Sequence, residues 1–496
     1  MSKHYHLIGI GGTAMASLAG LLQAAGHRVT GSDEAVYPPM SDLLASLRIA
    51  YREGYHPENL DPVPDVVIVG NAISRGNTEL EFMLNQKIPY TSAAVTIKEE
   101  FLRGRISIPV AGTHGKTTTT SLLAWLLECA GMKPSFLIGG VAENFGTSFR
   151  LTASRLFVIE ADEYDTAYFD KGPKMWHYLP DIAIVNNIEF DHADIYRDGI
   201  AYRWAFSRFI NLVPSNGTLV AGWDSPAVRE LAGASFAPVE SFGFAGPDTS
   251  DAGSVPDVNP RWEAHDVQFG EEATRFTAVH DGVVWGNVEM PLAGAFNVRN
   301  ALAAIAAAHA AGAATDGVIE GLRTFRSVRR RLEVRGTEDS VTVIDDFAHH
   351  PTAVRETILA ARQRWPGRRL VAIFEPRSFT AQRREFQDAY RDALALADEI
   401  IIAGLFHPER YSKDTAIDPD QMVAEWRGMG RVADSIPEPD RIAATVGARA
   451  RPDDLVLIMS NGGFGGVHGK LLAVLRDRAS GPGSTIANRV RLSGSS

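Results

Sequence analysis

One pattern recurs along the chain: a short β-branched run, a stop at Gly, Asp or Asn, then a helix-like segment. YHLIGI, HRVTGSD, PDVVIVG, SIPVAG, RLFVIEAD, IAIVNN, VTVIDD, LVAIFEP, EIIIAG and LVLIMSNGG all read this way. Such strands are apolar on both sides, as in parallel sheets whose crossover helices cover both faces. The fold class is therefore α/β. At 496 residues the series is too long for one core. Three blocks are expected: 1–107, opening on a strand and a Gly-rich turn; 108–330, opening on a second such strand and turn; and 331–478, holding VTVIDDFAHHP and a third strand–helix series. The Pro-, Gly- and Asp-rich stretch 245–270 reads as a surface excursion, and 479–496 as a mobile tail.

Apolar residues make up 45% of the chain and charged ones 22%, enough for sizeable cores. Lys plus Arg number 49 against 60 Asp plus Glu, and the net charge of −11 argues against a nucleic-acid or anionic-membrane partner. Cys129 is the one cysteine, so no intramolecular disulfide can form; in LLAWLLECAG it reads as a buried core thiol. No apolar run approaches the roughly 20 residues that span a bilayer. MSKHYHLIGIGG enters a strand and glycine loop without a signal peptide's apolar stretch. A reducing, cytoplasmic setting is expected.

AGTHGKTTTT follows the strand SIPVAG. The strict phosphate-loop pattern wants Gly where Val110 stands, and the nearer Gly112 is the substitute. The physics survives the shorter loop: a helix whose free N–H groups face an anion, with Lys116 able to reach β/γ-phosphate oxygens and Thr117 able to ligate Mg²⁺. The plain alternative is a strand-to-helix turn with a solvated lysine. Threonines 117–120 are poor helix formers, which favours a functional reason for them.

GIGGTAMASLA carries Gly9, Gly11 and Gly12, with Ala14 at a fingerprint's third glycine and Asp33 ending the next strand, which leaves a dinucleotide oxidoreductase open. VIEADEYDTAYFDK groups Glu160, Asp162, Glu163 and Asp165 after a strand, as a metal site or a helix cap. NNIEFDHADIY repeats this with Glu189, Asp191, His192 and Asp194, a better metal candidate because a histidine stands among the acids. GAFNVRN offers Asn297 and Asn300 for an adenine edge or a cap, and VRRRLEVRG a basic cluster. DDFAHHP and FEPRSFT put Asp346, His349, His350, Arg377 and Ser378 at strand ends, where open α/β sheets bind ligands.

In order, GIGGTAM, GTHGKTTTT, EADEYD, NNIEFDH, FNVRN, RRRLE and DDFAHHP resemble the Mur ligases of peptidoglycan biosynthesis along nearly the whole chain. The resemblance implies a Rossmann-like domain for a UDP-sugar, a central P-loop-type ATPase domain with a mostly parallel sheet, and a C-terminal Rossmann-like domain. It implies ATP and Mg²⁺, an acyl phosphate formed on a sugar carboxylate, attack by an amine, and closure of the C-terminal domain against water. Gly112, Thr113, His114, Gly115, Lys116, Thr117 and Thr118 would surround the phosphates, Asn297 or Asn300 the adenine, and Arg331 and Asp346 the nucleotide from across the interface. Thr117, Glu160 and His192 would hold metal, and Lys116, Glu160, His192, Arg331 and Asp346 would carry catalysis. Gly11, Gly12, Thr13, Asp33 and Asn71 would border the UDP.

Several family members carry a carbamylated lysine, but no lysine lies between Lys174 and Lys413 here. That resembles the branch starting from UDP-N-acetylmuramate. Within it, GTAMASLAG, SDEAVYPPMS, GNAISRGN, Tyr164, FEPRS and MSNGGFGGVHGKLL are similar to enzymes that add a recycled tripeptide, L-alanyl-γ-D-glutamyl-meso-diaminopimelate. The alternative is addition of L-alanine. Peptide carboxylates would meet His349, Arg377, Ser378, Ser460, Asn461 and Gly462, with Arg383 and Arg384 nearby, in a protein expected to be monomeric.

Overall fold

The computed structural model describes residues 2–191, 195–245, 259–406 and 414–480. The first block is a five-stranded parallel sheet in the spatial order Ala50–Glu53, Arg28–Asp33, His4–Ile8, Val66–Val69, Tyr90–Ser92. The order reverses at His4–Ile8, so a crevice opens at its carboxyl end. There the chain turns through Gly9, at φ +87°, into the helix Thr13–Ala24. The sheet hides a polar knot: buried His6 Nε2 lies 2.7 Å from Glu79 Oε1, which also accepts from Ser32 Oγ at 2.9 Å.

The second sheet has ten strands. Ile106–Ala111 pairs in parallel with Ile182–Val185 on one side and Leu156–Glu160 on the other. The first break therefore falls before residue 106. Beyond Ile182–Val185 the sheet continues through Thr218–Gly222, Val239–Phe244 and Trp262–Phe269 to the antiparallel strands Thr274–His280 and Val283–Met290. Trp262–Phe269 is thus a strand inside the stretch expected to be a surface excursion; its first residue, Trp262, is fully buried. Residues 246–258 lie outside the described residues. The helices Lys116–Cys129 and Ala295–Ala310 pack on each other, and the alanines of the second permit the close approach. Cys129 ends its helix half-buried, less enclosed than expected, with burial raising its thiol pKa.

The third sheet has six strands, ordered Glu333–Glu338, Val341–Asp346, Leu455–Met459, Leu370–Phe374, Glu399–Ile402, Val432–Ser435. The first is antiparallel and the rest parallel. The helix Val467–Ser480 runs two residues into the expected tail, and 481–496 lie outside the described residues. Helix Thr13–Ala24 packs on the edge strand Thr147–Arg150, where Ser17 Oγ and Ser148 Oγ are 2.8 Å apart. Among the described residues no helix is long and apolar enough to cross a membrane.

Candidate active site

The phosphate loop bends through two glycines that no other residue replaces without strain. Gly112 sits at φ +135°, and a Cβ there would lie 3.1 Å from Asn186. Gly115 sits at φ +80°, and a Cβ would meet Asn300 Oδ1 at 2.4 Å. Gly115 is also the N-cap of Lys116–Cys129 and has no side chain with which to cap it, which leaves the helix's positive end to a ligand. Lys116 Nζ folds back on the loop, donating to Gly112 O at 2.6 Å and to Glu163 Oε2 at 2.9 Å. Burial alone would lower its pKa, but the charges of Glu163, Glu160 and Asp162 outweigh burial and raise it.

Thr117 Oγ1 donates to Glu160 Oε1 at 2.9 Å, and Glu160 Oε2 accepts from Gly139 N at 2.8 Å. Burial pushes the Glu160 carboxyl up despite these donors. Hydroxyl and carboxylate together form an all-oxygen pair of the kind Mg²⁺ takes. Glu163 was legible only as one acid in a cluster. It is fully buried, paired with Lys116 and bonded by Tyr202 OH at 3.2 Å, and Tyr202 OH is 3.0 Å from Thr113 Oγ1. Nothing local in the sequence marks Tyr202. His192 and Asp194 lie outside the described residues.

A cleft of about 1510 Å³ joins the second and third blocks. Thr113, His114, Gly115, Lys116, Thr117, Thr118 and Glu160 line one side, Asn297 and Asn300 its floor, and Arg331, Asp346 and His349 the far side. The amides are partly spent: Asn297 Nδ2 donates to Ala293 O at 2.7 Å, and Asn300 Oδ1 accepts from Thr119 Oγ1 at 3.1 Å. Asp346 is equally engaged, accepting from Leu332 N and Ala348 N, each at 2.8 Å. Burial raises its pKa, although Arg331 works the other way. Arg331 Cζ lies 5.4 Å from the Phe347 ring centre.

Three further groups meet at the junction of the two blocks. His114 Nε2 is 3.1 Å from Glu189 Oε2, which is 3.6 Å from His350 Nδ1. Burial pushes His350 below the ordinary histidine range. Burial works against the Glu189 charge, but His114 beside it holds the carboxyl below its usual range. Thr380 Oγ1 donates to Asp191 Oδ1 at 2.7 Å across the same junction.

The residues expected to border a UDP-sugar do not line this cleft. Gly11 N donates to Asp33 Oδ2 at 2.7 Å, Gly12 caps the helix that Thr13 begins, and Asn71 is exposed after Val66–Val69. Of the expected peptide contacts, Arg377, Ser460 and Gly462 come together: a Cβ on Gly462 would strike Arg377, and Gly462 N donates to Ser460 Oγ at 2.9 Å. Arg377 Cζ lies 4.0 Å from the Phe406 ring centre, and Ser460 Oγ donates to Glu375. Asn461 Oδ1 is buried without a partner among the described residues. Ser378 Oγ accepts from Ala381 N at 3.0 Å, which makes it a turn cap, and His349 stands apart in the main cleft.

Three family descriptions match in sequence order: Mur ligase family, catalytic domain over residues 4–101; Mur ligase middle domain over 110–308; and Mur ligase, glutamate ligase domain over 330–462. The chain is 40% identical to the UDP-N-acetylmuramate–L-alanyl-γ-D-glutamyl-meso-2,6-diaminoheptandioate ligase of Haemophilus influenzae, over 96% of this chain and 99% of the relative. The Escherichia coli protein of that description is 41% identical, with 96% and 98% covered. The UDP-N-acetylmuramate–L-alanine ligase of Thiobacillus denitrificans is 35% identical over 94% and 97%. A murein peptide ligase from Psychrobacter arcticus superposes with a TM-score of 0.70 at 35% identity, covering 96% of this chain and 99% of that one. With these three matches in order along the chain, and relatives 40% and 41% identical over 96% of it, the chain belongs to the Mur ligase family.

Proposed function

We propose that this protein is an ATP-dependent, ADP-forming ligase that joins UDP-N-acetylmuramate to L-alanyl-γ-D-glutamyl-meso-diaminopimelate, as its relatives from Haemophilus influenzae and Escherichia coli are described to do. One observation supports it most: a single cleft carries an uncapped helix N-terminus, Lys116 and Glu160 on one side and Arg331 and Asp346 on the other. A switch needs no such second side. The lower identity to the L-alanine ligase favours the tripeptide as amine.

ATP with Mg²⁺ supplies the phosphoryl group that activates the sugar's carboxylate. The glycine loop leaves room that a Cβ would fill, and Thr117 with Glu160 provides the oxygen donors for the cation. Lys116 exchanges Glu163 for phosphate oxygens and neutralises charge there. Glu163 and Tyr202 keep its ammonium charged and close to the loop beforehand. Arg331 adds a guanidinium from the far side, and closure of the C-terminal domain over the cleft would exclude the water that hydrolyses an acyl phosphate. Arg377, with Ser460 and Gly462, would take a peptide carboxylate.

The test is phosphate release by purified protein with ATP, Mg²⁺ and UDP-N-acetylmuramate, adding the tripeptide or L-alanine. Release with the tripeptide and a UDP-muramoyl-tripeptide by mass spectrometry are expected. Release with L-alanine alone would move the protein to the other branch.

A further inference from the structure

His114, Glu189 and His350 converge from three distant parts of the chain. His114 belongs to the phosphate loop, Glu189 follows the strand Ile182–Val185, and His350 caps the helix Pro351–Arg364 of the third block. Each offers one donor atom, and the three atoms lie within 4.8 Å of one another. A second observation is independent of that spacing. His350 is only 6% exposed, yet neither ring nitrogen has a hydrogen-bond partner among the described residues. Buried polar atoms are almost always satisfied, so an imidazole with both nitrogens orphaned calls for a ligand. The His114 and His350 rings, with centres 4.8 Å apart, both approach Glu189 Oε2.

The donor chemistry selects the ligand. Two imidazole nitrogens and one carboxylate oxygen suit zinc, cobalt or nickel, whereas magnesium and calcium take oxygen. Three protein donors also leave a coordination position open, as at catalytic rather than structural zinc centres. The oxygen pair at Thr117 and Glu160 is a separate set of donors. We propose that His114, Glu189 and His350 bind one divalent transition-metal ion that ties the C-terminal domain to the phosphate loop. Two of the ligands come from the central domain and one from the C-terminal domain, so the ion restrains their relative motion. His114 and Glu189 also line the nucleotide cleft, but the proposal does not depend on the identity of the amine.

The experiment uses full-length protein without a polyhistidine tag, stripped with chelator and titrated with Co²⁺ in the absence of nucleotide. One equivalent of Co²⁺ giving visible d–d bands is expected. Loss of those bands in His350→Ala and in the near-isosteric Glu189→Gln, with retention in Glu160→Gln, would support the site. Zn²⁺ should raise the thermal midpoint of the wild type and leave that of Glu189→Gln unmoved. Circular dichroism of the stripped variants shows that each is folded. The proposal is overturned if no bands appear, if they persist in folded His350→Ala or Glu189→Gln, or if Glu160→Gln loses them equally.

Discussion

At the scale of single residues, the site depends on charges held where burial opposes them. Lys116 keeps its ammonium because Glu163 sits against it. Lys116→Met should lower kcat by about 10²–10³-fold, the usual cost of losing one preorganised donor, with far-UV circular dichroism unchanged. Phosphate release under saturating substrates measures it. Asp346 gives a pH signature. Burial raises its folded pKa above the ordinary 3.8, so the folded state holds that proton longer than the unfolded chain does. Its contribution is therefore complete below 3.8 and is lost as pH climbs through the raised value. Urea midpoints measured upward from pH 4 should fall more for the wild type than for Asp346→Asn. Lys116 and Thr117 were legible because strand, turn and helix lie within a dozen residues. Glu163 was visible as an acid but not as the partner of Lys116, and Tyr202 carried no local mark. Their roles come from contacts across the fold.

At the scale of elements, strands buried on both faces announced themselves, since a run such as VVIV or IAIV has no polar side to confuse. Thr274–His280 and Val283–Met290 did not, because an edge hairpin alternates exposed and buried positions among charged residues. The docking of the first domain was also invisible. Gly20 of the helix Thr13–Ala24 faces the Phe149 ring so closely that a Cβ would lie 2.1 Å from it. The glycine reads in sequence as one more small residue; in the fold it is the socket for an aromatic ring from the central domain. Gly20→Val should destabilise this junction by about 1–3 kcal/mol, the range for overpacking a filled site. A lowered first thermal transition would show it, and an unchanged one would mean that the ring moves aside.

At the scale of the whole molecule, the cleft belongs to two domains, so its ligand should stabilise both. A non-hydrolysable ATP analogue with Mg²⁺ at about 100 times its Kd should add about 2.7 kcal/mol. Hydrogen exchange should slow on the Lys116–Cys129 helix and on the Val341–Asp346 strand together; protection of the first alone would place the nucleotide wholly in the central domain. The third sheet also sets an order of assembly. Its middle strand, Leu455–Met459, is the last one made, yet it pairs with both Val341–Asp346 and Leu370–Phe374. Until it leaves the ribosome, those two strands have no neighbour on that side, and an unpaired apolar strand edge invites other chains. A message cut short before codon 455 would yield a protein with its nucleotide loop intact and a domain open down the centre. For such a chain the hazard is aggregation rather than mere inactivity.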